Sequence, residues 1–184
     1  MNKMNKIKSY IIGNNVVIWD YNDATKIYNM GFFGKPIGIG KVKPGDILLY
    51  PLQLSLFDAL YLLEREKIEI YKDGEIINKT EFLEFADKNY NRFYEKYIVY
   101  EDLRKKGYIP RAGMKFGVDF VVYKKGPGID HSPFMVHIEH DHLVIDPILL
   151  LRAGRLATSV KKKFITAIVS KGYPKYYVFN RFKP

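Results

Sequence analysis

The chain contains no cysteine. That excludes a disulfide framework, a thiolate zinc site and a cysteine nucleophile, and makes an intracellular, cytoplasmic protein the economical expectation. Long hydrophobic runs are also missing. The greasiest stretch, 47–63, is interrupted by Pro51, Gln53 and Asp58 and falls short of the roughly 20 apolar residues a membrane span needs. The lysine-bearing amino-terminal stretch leads only to Tyr10, Ile11 and Ile12 before Gly13, too short for the apolar core of a secretion signal. Residues 31–45 hold five glycines and two prolines, but neither the G-x-G-x-x-G order nor a P-loop Lys-Ser/Thr, so they read as a loop and not as a nucleotide cradle. No internal repeat or low-complexity tract is present.

What is there is a chain of 184 residues, 47% of them hydrophobic, enough for one or two globular domains with real cores. Its 30 basic and 20 acidic side chains are unevenly spread: 12 of each precede residue 89, whereas 18 basic and 8 acidic residues follow. The second half therefore carries all of the excess positive charge. Such a field attracts polyanions, nucleic acid foremost, although solubility and acidic protein partners are the plainer uses of the same charge. The polar interruption 89–91 coincides with the charge shift, so two domains are expected, 1–88 and 89–184.

Hydrophobic periodicity and turn chemistry fill in the elements. Residues 7–12 and 16–19 around Gly13-Asn14-Asn15 predict a hairpin, followed by a helix capped by Asn22 or Asp23 and ending at Gly31. A strand is expected at 47–50, a helix opened by Ser55 with Asp58, a second hairpin around Asp73-Gly74, and a helix capped by Thr80. In the second half a helix over 92–106 turns Tyr94, Tyr97, Ile98 and Leu103 inward. Strands follow at 118–123 and 134–139, then a helix starting at Asp146-Pro147. The apolar run 164–169 reads as a central strand buried on both faces, and 176–179 as a more exposed last strand. The fold class is an α+β amino-terminal domain followed by an α/β domain with a mixed central sheet.

Chemistry concentrates in the second half. All four histidines lie between His131 and His142. His131 stands in a glycine-rich loop before a strand, where an imidazole titrates near neutral pH and reaches a ligand, or is simply solvated. His137, His140 and His142 with Glu139 and Asp141 invite a metal reading, but on an extended strand His137 and His140 point to opposite faces. No metal site is expected, and no cofactor. Tyr123 ends the strand before the His131 loop, and Lys161, Lys162 and Lys163 crowd the entry to the apolar strand. A tyrosine, a histidine and a lysine suffice for RNA cleavage: a base for the 2′-hydroxyl, an acid for the 5′-oxygen, a cation for the phosphorane. A phenol with a pKa of about 10 becomes a useful base only where cations such as Lys124, Lys125 or Lys162 favour its phenolate.

Several ordered motifs go further. Leu103-Arg104-Lys105-Lys106-Gly107 within 100–108, Gly113-Met114-Lys115-Phe116-Gly117 with the strand to Tyr123, His131-Ser132, and Arg155-Leu156-Ala157 through Lys163 closely resemble the archaeal tRNA-intron splicing endonuclease family. The first half is similar more loosely, best over 54–63. The resemblance implies a restriction-endonuclease-like catalytic domain and metal-independent cutting of precursor tRNA at bulge-helix-bulge sites, leaving 2′,3′-cyclic phosphate and 5′-hydroxyl ends. It assigns Tyr123 as general base, His131 as general acid and Lys162 as the transition-state cation. Arg155 matches one arginine of a base-stacking clamp, Arg181 is a candidate for the other, and Lys124, Lys125 and Lys161 are candidate RNA contacts.

One departure concerns assembly. Homo-oligomeric members dock an acidic loop into a basic cleft on another subunit, whereas the corresponding loop here is Ser170-Lys171-Gly172-Tyr173-Pro174-Lys175. A basic loop would be repelled there. The expectation is a catalytic subunit in an (αβ)2 heterotetramer with a structural subunit of the same family, the alternative being a homotetramer using another loop. Competing functions are a non-catalytic RNA-binding or scaffold subunit of the same complex, and a metal-dependent DNA nuclease.

Overall fold

The first strand pair follows from its turn. Gly13 supplies a left-handed backbone (φ 57°) that closes β1 (Ile7–Ile12) onto β2 (Asn15–Ile18), the tight hairpin geometry that glycine permits at little cost. The computed structural model describes residues 6–38, 42, 45–139, 148, 151, 154–155 and 162–178. The chain divides into two units, Met1–Tyr94 and Glu95–Pro184.

In the first unit, α1 (Tyr21–Gly31) is capped by Asp20, whose carboxylate accepts from the Asp23 N–H; Asn22 and Asp23 lie inside the helix. The strand expected at 47–50 does not form. Leu48 is buried and its N–H donates to Thr25 Oγ1 at 2.9 Å, so the segment runs along α1 with Ile47 and Leu49 exposed. The sheet instead continues with β3 (Lys35–Pro36) and β4 (Leu52–Leu54). Ser55 and Asp58 form the expected capping box on α2 (Leu56–Glu64). The hairpin of β5 (Ile68–Lys72) and β6 (Glu75–Ile77) also forms, and α3 (Lys79–Asn89) is capped by Asn78, two residues before Thr80, which lies inside the helix. The sheet order β3-β4-β2-β1-β5-β6 contains one parallel pair, β1 with β5. Val16, Ile18, Leu52, Leu60, Ile68 and Ile70 are fully buried where α2 covers this sheet.

The second unit begins in α4 (Phe93–Lys105), which buries Tyr97, Val99, Tyr100 and Leu103. Tyr94, expected inside, is exposed. Then come β7 (Ile109–Ala112), a short 3-10 turn (Met114–Phe116), β8 (Phe120–Tyr123), β9 (Phe134–Glu139), β10 (Lys163–Ser170) and β11 (Tyr173–Val178). The order is β11-β10-β9-β8-β7. β9 and β10 are parallel and every other pair antiparallel, the mixed sheet expected. The centre is β9, however, and β10 lies one strand from the edge, with Ile165, Ile168 and Val169 only half-buried. Strand β7 was not anticipated: it is four residues long and carries Pro110, which sheets tolerate on an edge. The helix start expected at Asp146-Pro147 lies outside the described residues.

Candidate active site

Register alone brings two of the three candidates to one place. On β9, Phe134 pairs with Val122 of β8 on one side and with Lys163 of β10 on the other. One residue after Val122 and one before Lys163, Tyr123 and Lys162 flank Pro133, two strand spacings or about 9–10 Å apart at the backbone. They also share a face. Val121, Met135 and Phe164 form a row across the three strands within one buried cluster. Tyr123 and Lys162 are the next residues of the same parity beyond that row. Tyr123 is half-buried and packs against this cluster.

The loop between β8 and β9 brings the third. The Asp130 carboxylate accepts three backbone N–H groups at once, Lys124 (3.1 Å) and Lys125 (3.2 Å) on Oδ2 and Gly126 (2.9 Å) on Oδ1. Residue 130 is thereby tied to the residue after Tyr123, and His131 is the next in the chain. Burial works to raise the Asp130 pKa, but those three N–H groups outweigh it and hold the carboxyl below its ordinary value. The charged form is thus the one that closes the loop.

Ser132 completes the connection. It is 5% exposed, and the Lys162 ammonium donates to both its Oγ and its carbonyl oxygen at 2.5 Å. The backbone follows suit, with the Lys163 N–H donating to Pro133 O at 2.9 Å. His131 therefore lies between Asp130, bonded to the residue beside Tyr123, and Ser132, bonded to Lys162. It is exposed, as a group that meets substrate must be.

The other candidates fare differently. Lys124 and Lys125 are exposed on the same loop, Lys124 with its Nζ 5.7 Å from the Phe134 ring centroid. Arg155 is exposed and helical. Lys161 and Arg181 lie outside the described residues, as do His140 and His142. Asp130 and Ser132 were missed as site-builders, although an Asx residue closing a Lys-Lys-Gly-Pro-Gly-Ile loop onto its own backbone is a recognisable turn device.

His137 belongs to a separate network further along the same strand. Its Nδ1 is 3.3 Å from Asp119 and its Nε2 2.9 Å from Glu139. Asp119 in turn meets Lys96 of α4 at 2.8 Å and accepts the Ile138 N–H at 2.8 Å. The Asp119 hydrogen bond raises the His137 pKa against desolvation. Burial alone would lift Asp119, yet His137, Lys96 and Ile138 together pull it down to about 2. Both imidazole nitrogens are thus committed to carboxylates, an arrangement for holding structure rather than ligating.

The family model described as tRNA intron endonuclease, catalytic C-terminal domain, matches residues 93–177, and the one for the N-terminal domain of the same enzymes matches 7–83. These matches define an RNA-processing enzyme in which a sheet-based catalytic domain follows an amino-terminal domain. Proteins named tRNA-splicing endonuclease are similar to the chain over most of their length. That of Hyperthermus butylicus is 40% identical over 163 residues, 88% of this chain and 90% of its own. Those of Saccharolobus islandicus strain L.S.2.15 and Sulfolobus acidocaldarius are each 39% identical, covering 90% of this chain and 91% of theirs. The chain belongs to the tRNA intron endonuclease family and is a tRNA-intron lyase.

Proposed function

We propose that this chain is the catalytic subunit of an enzyme that excises introns from precursor tRNA at bulge-helix-bulge sites by metal-independent transesterification. Tyr123 takes the proton of the 2′-hydroxyl, whose oxygen attacks the adjacent phosphorus. The P–O5′ bond breaks as His131 protonates the departing oxygen, leaving a 2′,3′-cyclic phosphate and a 5′-hydroxyl. Lys162 faces the non-bridging oxygens, where negative charge builds in the phosphorane. The observation that carries this reading is the pair of ties from Asp130 to Lys124 and from Ser132 to Lys162, which gather the three segments at one end of the sheet. Arg155 stacks on a bulged base, with Arg181 as its candidate partner, and Lys124, Lys125 and Lys161 contact phosphates.

The assembly proposed is a heterotetramer with a structural subunit of the same family, in which 1–88 serves assembly and 89–184 catalysis, working in the cytoplasm. In support, β10 and β11 are joined by a two-residue turn, Lys171 (φ 51°) and Gly172 (φ 79°), which is short and basic where an acidic docking loop would be needed. Among the described residues no helix is long and apolar enough to cross a membrane.

One cleavage assay in EDTA with end-group analysis tests the chemistry. Cyclic phosphate and 5′-hydroxyl ends are expected; activity that dies in EDTA, or 5′-phosphate ends, would sink it. Size exclusion and cleavage by the chain expressed alone test the assembly, since full activity without a partner ends the heterotetramer proposal.

A further inference from the structure

The chain has a single tryptophan, and Trp19 is 51% exposed at the entry to α1. It lines a cleft of about 810 Å³ in the first unit, between the start of β1, one side of α1 and the turn before β5. Lys6, Lys8, Lys26 and Lys67 line the same cleft, together with the exposed Met30.

The carboxylates of this cleft are already engaged. Asp23 is paired with Lys26 at 3.0 Å and Glu66 with Lys6 at 3.3 Å, while Asp20 is occupied as the α1 cap. Four ammonium groups thus face three carboxylates, and among the described residues two of the four have no carboxylate partner. Among the described residues neither Lys8 nor Lys67 is paired with a carboxylate. Beside them Tyr10 stacks on Tyr71 with ring centroids 5.3 Å apart, giving the β1 wall an aromatic character. An accessible indole beside lysines that pair with no carboxylate, Lys8 among them with its Nζ 5.9 Å from the Tyr71 ring centroid, is the arrangement that single-stranded nucleic acid meets, base on ring and phosphate on ammonium. A cleft of this volume matches the size of ordinary ligand sites.

We infer that the Trp19 cleft is a second RNA-binding site, in which an unpaired nucleotide stacks on the indole while Lys8 and Lys67 hold its flanking phosphates. It rests on the proposed RNA substrate for its biological occupant, but lies in the other unit from the catalytic residues. It would bind a part of the precursor away from the scissile bond.

The lone indole makes the site directly readable. Fluorescence of the full chain is titrated with a single-stranded oligoadenylate of about 12 nucleotides. Saturable quenching is expected, weakening with salt and weakening about tenfold in affinity in the Lys8→Glu/Lys67→Glu variant, which keeps the fluorophore. Absence of quenching overturns the inference. So does equal quenching by polyglutamate at matched charge, which would indicate an acidic polypeptide, or a buried-indole emission that shifts on dilution, which would mean that another chain fills the cleft. The two readings fail separately. A chain that quenches but, assembled with its structural subunit, does not cut precursor tRNA keeps the cleft and loses the catalytic proposal, and an assembled enzyme that cuts while its chain shows no quenching does the reverse.

Discussion

The Lys162 ammonium is seated on Ser132, donating to its Oγ and its carbonyl oxygen together. A flexible four-carbon side chain is thereby given one position, next in sequence to the imidazole it would work beside. Ser132→Ala removes one of the two acceptors and keeps the carbonyl. The single-turnover cleavage rate is expected to fall about tenfold, the usual worth of one hydrogen bond to a charged group, with substrate affinity little changed. Ser132→Thr, which keeps the hydroxyl, should recover part of the rate. An unaltered rate in Ser132→Ala would show that the carbonyl alone seats the lysine.

For the proposed chemistry, Tyr123→Phe, His131→Ala and Lys162→Ala should each slow cleavage by about 100-fold or more while leaving precursor binding in place. Rapid-quench kinetics and a filter-binding titration separate the two effects. Native-rate cutting by His131→Ala would remove it from the acid role.

The Asp130 loop has its own pH signature. Its carboxyl is held below the ordinary value by backbone N–H groups that outweigh the effect of burial, so the tie is complete above the unfolded pKa of 3.8 and is lost as pH falls through the folded value. Asp130→Ala removes the tie at every pH. The expected outcome is faster amide exchange at Lys124, Lys125 and Gly126 and slower cleavage, with the overall fold retained.

The Asp119–His137 network bounds stability from both sides. Asp119, lowered to about 2, contributes stability that is complete above 3.8 and is lost as pH falls toward 2; the shift corresponds to roughly 2 kcal/mol. His137 is raised above 6.5, so its contribution is complete below 6.5 and is lost as pH rises through the folded value. Thermal unfolding of the wild type and of His137→Gln should therefore differ most in mildly acidic solution and converge in alkali. A gap that widens in alkali would contradict this.

Gly113 sits against the next turn of chain. A Cβ there would stand 2.6 Å from Val118 Cγ2 and 2.7 Å from its carbonyl oxygen, and backbone does not yield as a side-chain tip does. Gly113→Ala is expected to destabilise the chain by about 1–3 kcal/mol, the ordinary cost of overpacking, measured by denaturant unfolding. Gly154→Ala, with nothing within 4 Å of an added Cβ, serves as the control.

The elements readable in the sequence were those defined by local chemistry. The Asp73-Gly74 and Gly13 turns announce their hairpins, the Ser55–Asp58 box opens α2, and β9 has the bounds that its composition suggests. What depended on distant partners was not readable. The 47–50 segment has strand composition, but Thr25 offers its backbone a bond on α1 instead. The 164–169 run looks central because it is apolar, yet β9 is the middle strand of the five, and β10 has only β11 beyond it. The same split divides the site. Tyr123, His131, Lys162 and Arg155 could be singled out from residue type and resemblance. Ser132 acts through a lysine 30 residues away, which nothing in its local sequence declares, whereas Asp130 closes its own loop within six residues, a turn device that residue type makes legible.

The parallel pairing of β9 with β10 has a kinetic consequence. Side chains alternate between faces along a strand, so a slip of β10 by a single residue would turn Lys162 to the far side of the sheet while leaving most hydrogen bonds of the ladder replaceable. Such mis-threaded molecules would look folded by circular dichroism and yet be silent in turnover. The active fraction of a preparation, titrated against precursor, is thus a finer gauge of correct strand alignment than any bulk spectroscopic signal.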